Sequence, residues 1–227
     1  MKLLFVAANR MEFTGILALL RDRQDVAMEL DWARSGRWGE HEVLLVANGA
    51  GAQCAAKATD KGSWRLRPGA IISTGFCGAL DENLEIGEIV SATGVNSHPA
   101  QPLAGGIRCY QGVVRSIDHI AQTAREKAQL RASGACAVEM EAAAVAERAE
   151  TWRIPFHCVR AVTDLAGEDL ANDLNSALRA DGHFDTIQVL TGALRQPALR
   201  IPELLRLRRR AVQAARSLGD FFADCRF

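Results

Sequence analysis

Three carboxylates that close apolar runs of the 227-residue chain are the side chains most suited to chemistry. Glu12 follows the first apolar run, Glu141 ends residues 138–141, and Asp164 ends residues 160–164. A carboxylate is costly to bury unless it is paired or used, and functional sites are where such groups gather. Each one alone is more often a helix cap or a surface charge. Three such runs in one chain predict a site that moves protons or holds a polar substrate.

The elements that position these residues alternate between short apolar strands and helical patterns. The predicted strands cover residues 3–8, 42–47, 70–74, 88–92, 135–138 and 156–162. The predicted helices cover residues 12–20, 52–59, 123–131, 141–150 and 202–222. Gly75, Gly78 and Gly87 predict a loop after the third strand. Residues 93–111 show neither helical nor strand periodicity of apolar residues, which predicts an irregular connection.

This alternation predicts an α/β fold, a three-layer α/β/α sandwich around a central mixed, largely parallel sheet. Ligands of such folds gather at the carboxyl ends of the strands, which is where the three carboxylates fall. The chain shows no repeat and no linker-like segment, so we expect a single domain over residues 1–227.

The composition excludes several classes of partner. Lys and Arg number 27, as do Asp and Glu, so no bulk charge favours nucleic acid, and we expect a small-molecule substrate. The six cysteines are scattered singly, which predicts reduced thiols, no metal and no cofactor. The first apolar run ends at Asn9, too short for a signal peptide or a membrane span. We therefore expect a cytoplasmic protein without stable membrane insertion.

Four parts of the sequence resemble the nucleoside phosphorylase superfamily, and within it the methylthioadenosine/S-adenosylhomocysteine nucleosidase branch. They are Glu12, the glycine-containing residues 74–80, residues 138–144 (VEMEAAA) and residues 159–164 (VRAVTD). The four occur in the family's order at compatible spacing, and the similarity runs from Met1 to about Ala171. The resemblance implies a nucleoside phosphorylase-like sandwich that cleaves the N-glycosidic bond of a purine nucleoside.

The resemblance also implies a role for individual residues. Asp164 matches the acid at N7 of the purine, Glu141 the residue that holds the ribose 2′-hydroxyl, and Glu12 the carboxylate that activates water. The residues expected to bind the substrate with Glu141 are Met140, against the sugar face, and Glu139, Gly75, Phe76, His119 and Ile120. Cleavage builds oxocarbenium character on the ribose and negative charge on the base. It therefore needs an acid beside the base and a carboxylate beside the sugar.

The second substrate is either water or phosphate. Phosphorylases of this type usually carry an arginine just before the glycine loop, where this chain has Ser73. Glu12 stands where the hydrolases keep their water-activating acid, and it would repel phosphate. Both features favour water, although Arg10, here interpreted as a solvated loop residue, could instead reach an anion.

The predicted base pocket and 5′ side depart from the family pattern. His119 replaces a stacking phenylalanine, and Phe76 replaces a small residue, so either ring could stack on the base or narrow the pocket. The connection over residues 92–112 is shorter than the family's, which predicts a more open 5′ side. Compact members of this kind are associated with large 5′ appendages, as in adenosylhopane or futalosine.

We therefore expect hydrolysis of a purine nucleoside, most simply an adenine nucleoside, that carries a 5′ substituent. The alternatives are a phosphorolytic enzyme of the same fold and a nucleoside-binding protein without turnover. A homodimer is expected because relatives close the pocket with a neighbouring subunit. The basic stretch at residues 206–210 is interpreted as the solvated face of a packing helix, with contact to a lipid surface as the alternative.

Overall fold

One mixed sheet forms the centre of the molecule, which a computed structural model describes over residues 1–103, 108–225 and 227. Ten strands pair in this described part. They are β1 (Lys2–Ala7), β2 (Arg21–Asp25), β3 (Trp32–Trp38), β4 (His41–Ala47), β5 (Ala70–Ala79), β6 (Ile89–Val95), β7 (His98–Pro99), β8 (Tyr110–Ser116), β9 (Ala135–Glu139) and β10 (Phe156–Asp164). At the centre, β4, β1, β5 and β10 run parallel, so these four strands end at the same edge.

Strand β5 turns part of this sheet into a closed ring. Its ten residues pair in parallel with β1 and β10, and its last two residues pair with β9 in the antiparallel direction. β10 also pairs with β6, which continues through β8 back to β9. The carboxyl ends of β5 and β10 therefore lie side by side at the rim of a five-stranded ring.

Helices cover both faces of the sheet. They are α1 (Thr14–Leu19), α2 (Ala52–Leu66), α3 (Ala124–Arg131), α4 (Ala142–Thr151), α5 (Leu174–Ala177), α6 (Thr186–Leu194) and α7 (Pro197–Ala223). Leu4 and Val6 of β1 belong to one apolar core, which includes residues of α2 and α4. Leu3 and Phe5 of the same strand belong to a second core, with residues of α1 and α7. Successive residues of a strand face opposite sides, so this division confirms the predicted three-layer sandwich.

The prediction of a loop at Gly75 and Gly78 is wrong, because both glycines lie inside β5. A Cβ on Gly75 would lie 2.6 Å from Glu12 Oε1, and one on Gly78 would lie 2.8 Å from Asp164 Oδ2. A glycine within a strand often marks the close approach of another group. These two glycines make room for carboxylates and do not turn the chain.

Other boundaries also differ from the sequence-based prediction. Helix α2 continues to Leu66, beyond the predicted end at residue 59, because Ser63 and Leu66 are buried on its inner face. The irregular connection predicted at 93–111 contains the end of β6, the short β7 and the start of β8, while residues 104–107 lie outside the described part. Strands β2 and β3 were not predicted, since every residue of β2 is exposed and carries no apolar alternation.

The C-terminal helix α7 is 27 residues long and extends the predicted helix at its amino end. Pro202 lies inside it, and its second half packs Leu218, Phe221 and Phe222 into the core. Within the described residues, no helix is both long and apolar enough to cross a membrane.

Replacement of Gly15 by alanine is expected to destabilise the protein by about 1–3 kcal/mol. A Cβ at Gly15 of α1 would lie 2.8 Å from the Cα of Gly219 in α7, so the two helices must separate. The matched control is Gly192→Ala in α6, where the nearest atom would be 4.0 Å away. The control should be neutral or slightly stabilising. Urea unfolding of the three proteins measures both effects, and equal stability of all three would contradict the close packing of α1 on α7.

Candidate active site

A buried ion pair lies at the centre of the candidate site. Arg160 of β10 is 1% exposed, and its Nη2 donates to Glu139 Oε2 at 2.6 Å and to Ser73 Oγ at 2.8 Å. Glu139 Oε2 also accepts from the backbone N–H groups of Glu141 (2.9 Å) and Ala142 (2.8 Å). One carboxylate thus joins β10 to the first turn of α4. Glu139 Oε1 is buried without a partner among the described residues.

Glu141 is fixed by this arrangement at the amino end of α4. Its Oε1 accepts from Gly51 N at 2.8 Å, at the start of α2, and Met140 beside it is 9% exposed. Burial, followed by the nearby negative charge of Glu139, raises the pKa of Glu141 to about 8. A carboxyl group with such a pKa can donate or accept a hydrogen bond near neutral pH.

Glu12 is buried at the carboxyl end of β1. Oε2 accepts from Asn9 N at 2.9 Å, and Oε1 accepts from Phe76 N in β5 at 3.1 Å. Asn9 caps the short 3-10 turn at residues 10–13 in return, so Glu12 completes a capping box. Burial is the main cause that raises the pKa of Glu12, which makes this carboxylate a stronger base than an exposed one.

Asp164 ends β10 and forms an ion pair with Lys127, a residue that sequence reasoning missed. Lys127 Nζ lies 2.5 Å from Asp164 Oδ2 and also donates to the carbonyl oxygens of Leu165 (2.8 Å) and Glu168 (3.3 Å). Lys127 is fully buried, while the Asp164 side chain is 15% exposed. Asp164 therefore reaches solvent on one side and a buried ammonium group on the other.

One sequence signal could have revealed Lys127. Thr123 caps helix α3, because its side chain accepts from Glu126 N. Counting from that cap, Lys127 lies three residues after Ala124 and three before Leu130, and these two apolar residues face inward. A lysine on the apolar side of a helix requires a buried partner, and Asp164 is that partner.

The site is organised along six residues of β5. Ser73 receives the Arg160 guanidinium, Gly75 and Phe76 approach Glu12, and Gly78 pairs with Asp164 in the register of β5 and β10. The amino end of α2 approaches from the side through the hydrogen bond to Glu141. The three carboxylates predicted from the sequence are thus attached to one strand and its neighbours.

The residues predicted to bind the base lie in different surroundings. Phe76 is half-buried and packs against the second apolar core. His119 is half-exposed, and its two ring nitrogens contact Asp118 (2.7 Å) and Glu126 (2.5 Å). These two carboxylates raise the pKa of His119. The backbone N–H of Ile120 donates to Asn175 Oδ1 at 2.7 Å.

The surroundings of Ser73 bear on the choice between water and phosphate. Ser73 is buried, and the guanidinium beside it, that of Arg160, is already paired with Glu139. Arg10 at the end of β1 is exposed. A phosphate dianion needs cationic donors that are not neutralised, and the paired Arg160 does not meet this requirement.

Comparison with known proteins agrees with this geometry. The model of the family described as the phosphorylase superfamily matches residues 33–106 and 97–190. The two matches together cover more than half of the chain, and the chain belongs to the phosphorylase superfamily.

Individual relatives extend the comparison. A 5′-methylthioadenosine/S-adenosylhomocysteine nucleosidase of Bacillus velezensis is 28% identical over 74% of this chain and 88% of its own length. The Neisseria meningitidis enzyme of the same name, solved with methylthio-immucillin-A, superposes with a TM-score of 0.74 at 20% identity, covering 98% of this chain and 96% of its own. A futalosine hydrolase mutant of Helicobacter pylori gives 0.73 at 16% identity, covering 97% and 96%. The two solved structures confirm the predicted fold class.

Replacement of Glu141 by glutamine should change how stability depends on pH. The pKa of Glu141 is raised from 4.5 to about 8 in the folded protein, so its contribution is fully present below pH 4.5 and is lost as pH rises through 8. Relative to the variant, the wild type should lose at least about 1 kcal/mol of unfolding free energy between about pH 5 and about pH 9. Urea unfolding at several pH values measures the difference, and parallel curves would contradict the raised pKa.

Proposed function

We propose that this protein hydrolyses the N-glycosidic bond of a purine nucleoside that carries a 5′ substituent, and releases the free base. The observation that carries the proposal is the attachment of Glu12, Glu141 and Asp164 to β5 and its neighbouring elements. The names of the relatives, which are nucleosidases and a futalosine hydrolase, support the same reaction. Adenine is the base we propose.

The proposed roles follow from where charge develops during cleavage. The C1′–N9 bond breaks and its electron pair moves to the base, while the ribose becomes positively charged. Glu141 holds the 2′-hydroxyl, with Met140 against the sugar and Glu139 Oε1 as a second acceptor. Glu12 removes a proton from the attacking water, and its raised pKa suits this task near neutral pH. Gly75, Phe76, His119 and Ile120 complete the proposed substrate-binding set.

Lys127 has a proposed part in positioning the acid. Its ammonium group lies against Asp164 Oδ2 and donates to the carbonyl oxygens of Leu165 and Glu168, so it fixes the orientation of the carboxyl group. As negative charge builds on the purine, Asp164 delivers a proton to N7, and the base leaves as a neutral molecule. Asp164, whose side chain is 15% exposed, then recovers a proton from solvent.

Water is the proposed second substrate, and phosphate is the alternative. The pairing of Arg160 with Glu139 and the carboxylate of Glu12 both disfavour a bound dianion. Release of free base from adenine nucleosides should therefore proceed in phosphate-free buffer, without a further increase when phosphate is added. Formation of a sugar phosphate would instead identify a phosphorylase, and binding without any release would identify a non-catalytic protein.

The size of the 5′ substituent is tested by comparing substrates. Methylthioadenosine, S-adenosylhomocysteine and an adenosine with a bulky apolar 5′ group are supplied in parallel, and release of adenine is followed. We propose that the bulky substrate has the highest kcat/KM. Rapid cleavage of methylthioadenosine with no cleavage of larger nucleosides would contradict this part of the proposal.

Replacement of Asp164 by asparagine or of Glu12 by glutamine should each lower kcat by about 10²–10⁴-fold, the usual contribution of a general acid or base. The matched control is Asp22→Asn, because Asp22 is exposed on β2, at the edge of the sheet away from β5. Circular dichroism establishes that each variant is folded. Unchanged release of base by a folded Asp164→Asn protein would refute the acid assignment.

Replacement of Lys127 by methionine should lower kcat about tenfold or more with little change in KM, because Asp164 loses the ammonium group that orients its carboxyl group. Lys127→Arg, which keeps the charge, should restore part of the wild-type kcat. Lys57→Met, on the exposed side of α2, is the matched control. An unchanged kcat in a folded Lys127→Met protein, or no rescue by Lys127→Arg, would remove Lys127 from the proposed mechanism.

Three further proposals concern the whole molecule. We propose that residues 1–227 act as a single domain, that two copies form a homodimer and that the protein works in the cytoplasm. The singly scattered, free cysteines support a reducing compartment.

A further inference from the structure

Helices α6 and α7 form a hairpin whose outer side is unusually apolar. Only Arg195 and Gln196 separate the two helices, and Arg200 of α7 donates to the carbonyl oxygen of Gly192 in α6 at 2.8 Å. Seven of the twelve exposed large apolar side chains recorded for the described residues fall within residues 187–212. They are Ile187 (75% exposed), Leu190 (55%), Leu194 (67%), Leu199 (57%), Ile201 (40%), Leu205 (58%) and Val212 (41%).

The spacing of these residues gives each helix an exposed apolar stripe. Ile187, Leu190 and Leu194 are three and four residues apart in α6, and Ile201 and Leu205 are four apart in α7. Exposing apolar stripes on two successive helices to water costs free energy. Such a surface indicates a site that binds a protein, a ligand or a membrane.

The hairpin is strongly positive, although the formal net charge of the whole chain is zero. Residues 186–212 contain six arginines, at positions 195, 200, 206, 208, 209 and 210, and one acidic residue, Glu203. Glu203 is buried, accepts from the backbone N–H groups of Ala171 and Asn172 and pairs with Arg206 at 3.5 Å, while Arg210 pairs with Glu168. Arg195, Arg208 and Arg209 are exposed.

A surface that combines exposed apolar side chains with arginines fits a partner that offers both anionic and apolar groups. A bilayer with anionic lipids offers phosphates to the guanidinium groups and an acyl boundary to the leucines and isoleucines. We propose that the α6–α7 hairpin docks on the surface of an anionic lipid bilayer, with its helices lying in the interface. This proposal goes beyond the catalytic function and does not depend on it.

A second copy of the chain fits the same surface less well. A two-fold contact would place the exposed Arg208 and Arg209 of both copies in one interface, where residues 186–212 offer no acidic side chain besides the buried Glu203. Nucleic acid would satisfy the arginines but would leave the exposed leucines and isoleucines in water. The lipid surface is the partner that satisfies both sets of side chains.

The hairpin is connected to the candidate site. Arg210 forms a bidentate pair with Glu168 at 2.6 and 2.9 Å, and the carbonyl oxygen of Glu168 accepts from Lys127. Glu203 holds Ala171 and Asn172 of the same segment. Docking of the hairpin would therefore bring the segment that follows Asp164 close to the bilayer.

Co-sedimentation with vesicles tests the proposal on the full chain. The protein should sediment with vesicles of phosphatidylcholine mixed with phosphatidylglycerol and not with phosphatidylcholine alone, and added salt should weaken the binding. The double variants Ile187→Ser/Leu194→Ser and Arg208→Gln/Arg209→Gln should each lower the apparent affinity roughly tenfold or more. Trp64→Ser/Arg65→Gln, which alters an exposed pair on α2, is the matched control and should bind like the wild type.

Three results would overturn the proposal. They are failure of the wild type to bind phosphatidylglycerol vesicles, equal binding by all variants shown to be folded by circular dichroism, and a reduced oligomeric mass for Ile187→Ser/Leu194→Ser in light scattering. The last result would make this surface an interface between copies. Because binding is measured without substrate, the outcome is independent of the nucleosidase assays.

Discussion

The ion pair between Arg160 and Glu139 is the interaction on which the candidate site depends. Burying two charges is costly, and their attraction compensates only when further hydrogen bonds satisfy both groups. Here Ser73 and the two N–H groups at the start of α4 supply several of those bonds, while Glu139 Oε1 and Arg160 Nε have no partner among the described residues. The pair therefore fixes β10, β5 and α4 relative to one another. Glu141 then takes its position from the helix start.

Strand β5 makes the other contacts that hold the candidate site together. Its glycines explain how the carboxylates fit there, and also why the sequence wrongly predicted a loop. In sequence, Gly75 and Gly78 indicate a loop, because glycine most often supplies a backbone turn. In the structure, they leave space for the carboxylates of Glu12 and Asp164. A local pattern cannot distinguish these two uses of glycine, since the groups that need the space are 63 and 86 residues away in the chain. The resemblance of the sequence to a known family is what indicated that these glycines and carboxylates belong to one site.

The parts of the structure that could be predicted from the sequence are those governed by local rules. The buried strands at 70–74 and 156–162, the cap at Thr123 and the helix after Glu141 follow from apolar runs and capping chemistry. Lys127 could not be assigned a role, because its ion pair depends on the packing of α3 against the end of β10. Strands β2 and β3 were not predicted, because β3 forms by pairing with β4 and β2 by pairing with β3, and not from an apolar pattern of their own.

The central claim is that water attacks the ribose of a purine nucleoside bound along β5. Incubation of the protein with an adenine nucleoside in water enriched in heavy oxygen, with phosphate present, measures this most directly. Mass spectrometry of the sugar product should find one heavy oxygen at C1 and no phosphorylated sugar. A sugar 1-phosphate, or a sugar without the heavy oxygen in a reaction quenched before exchange with solvent, would contradict the account.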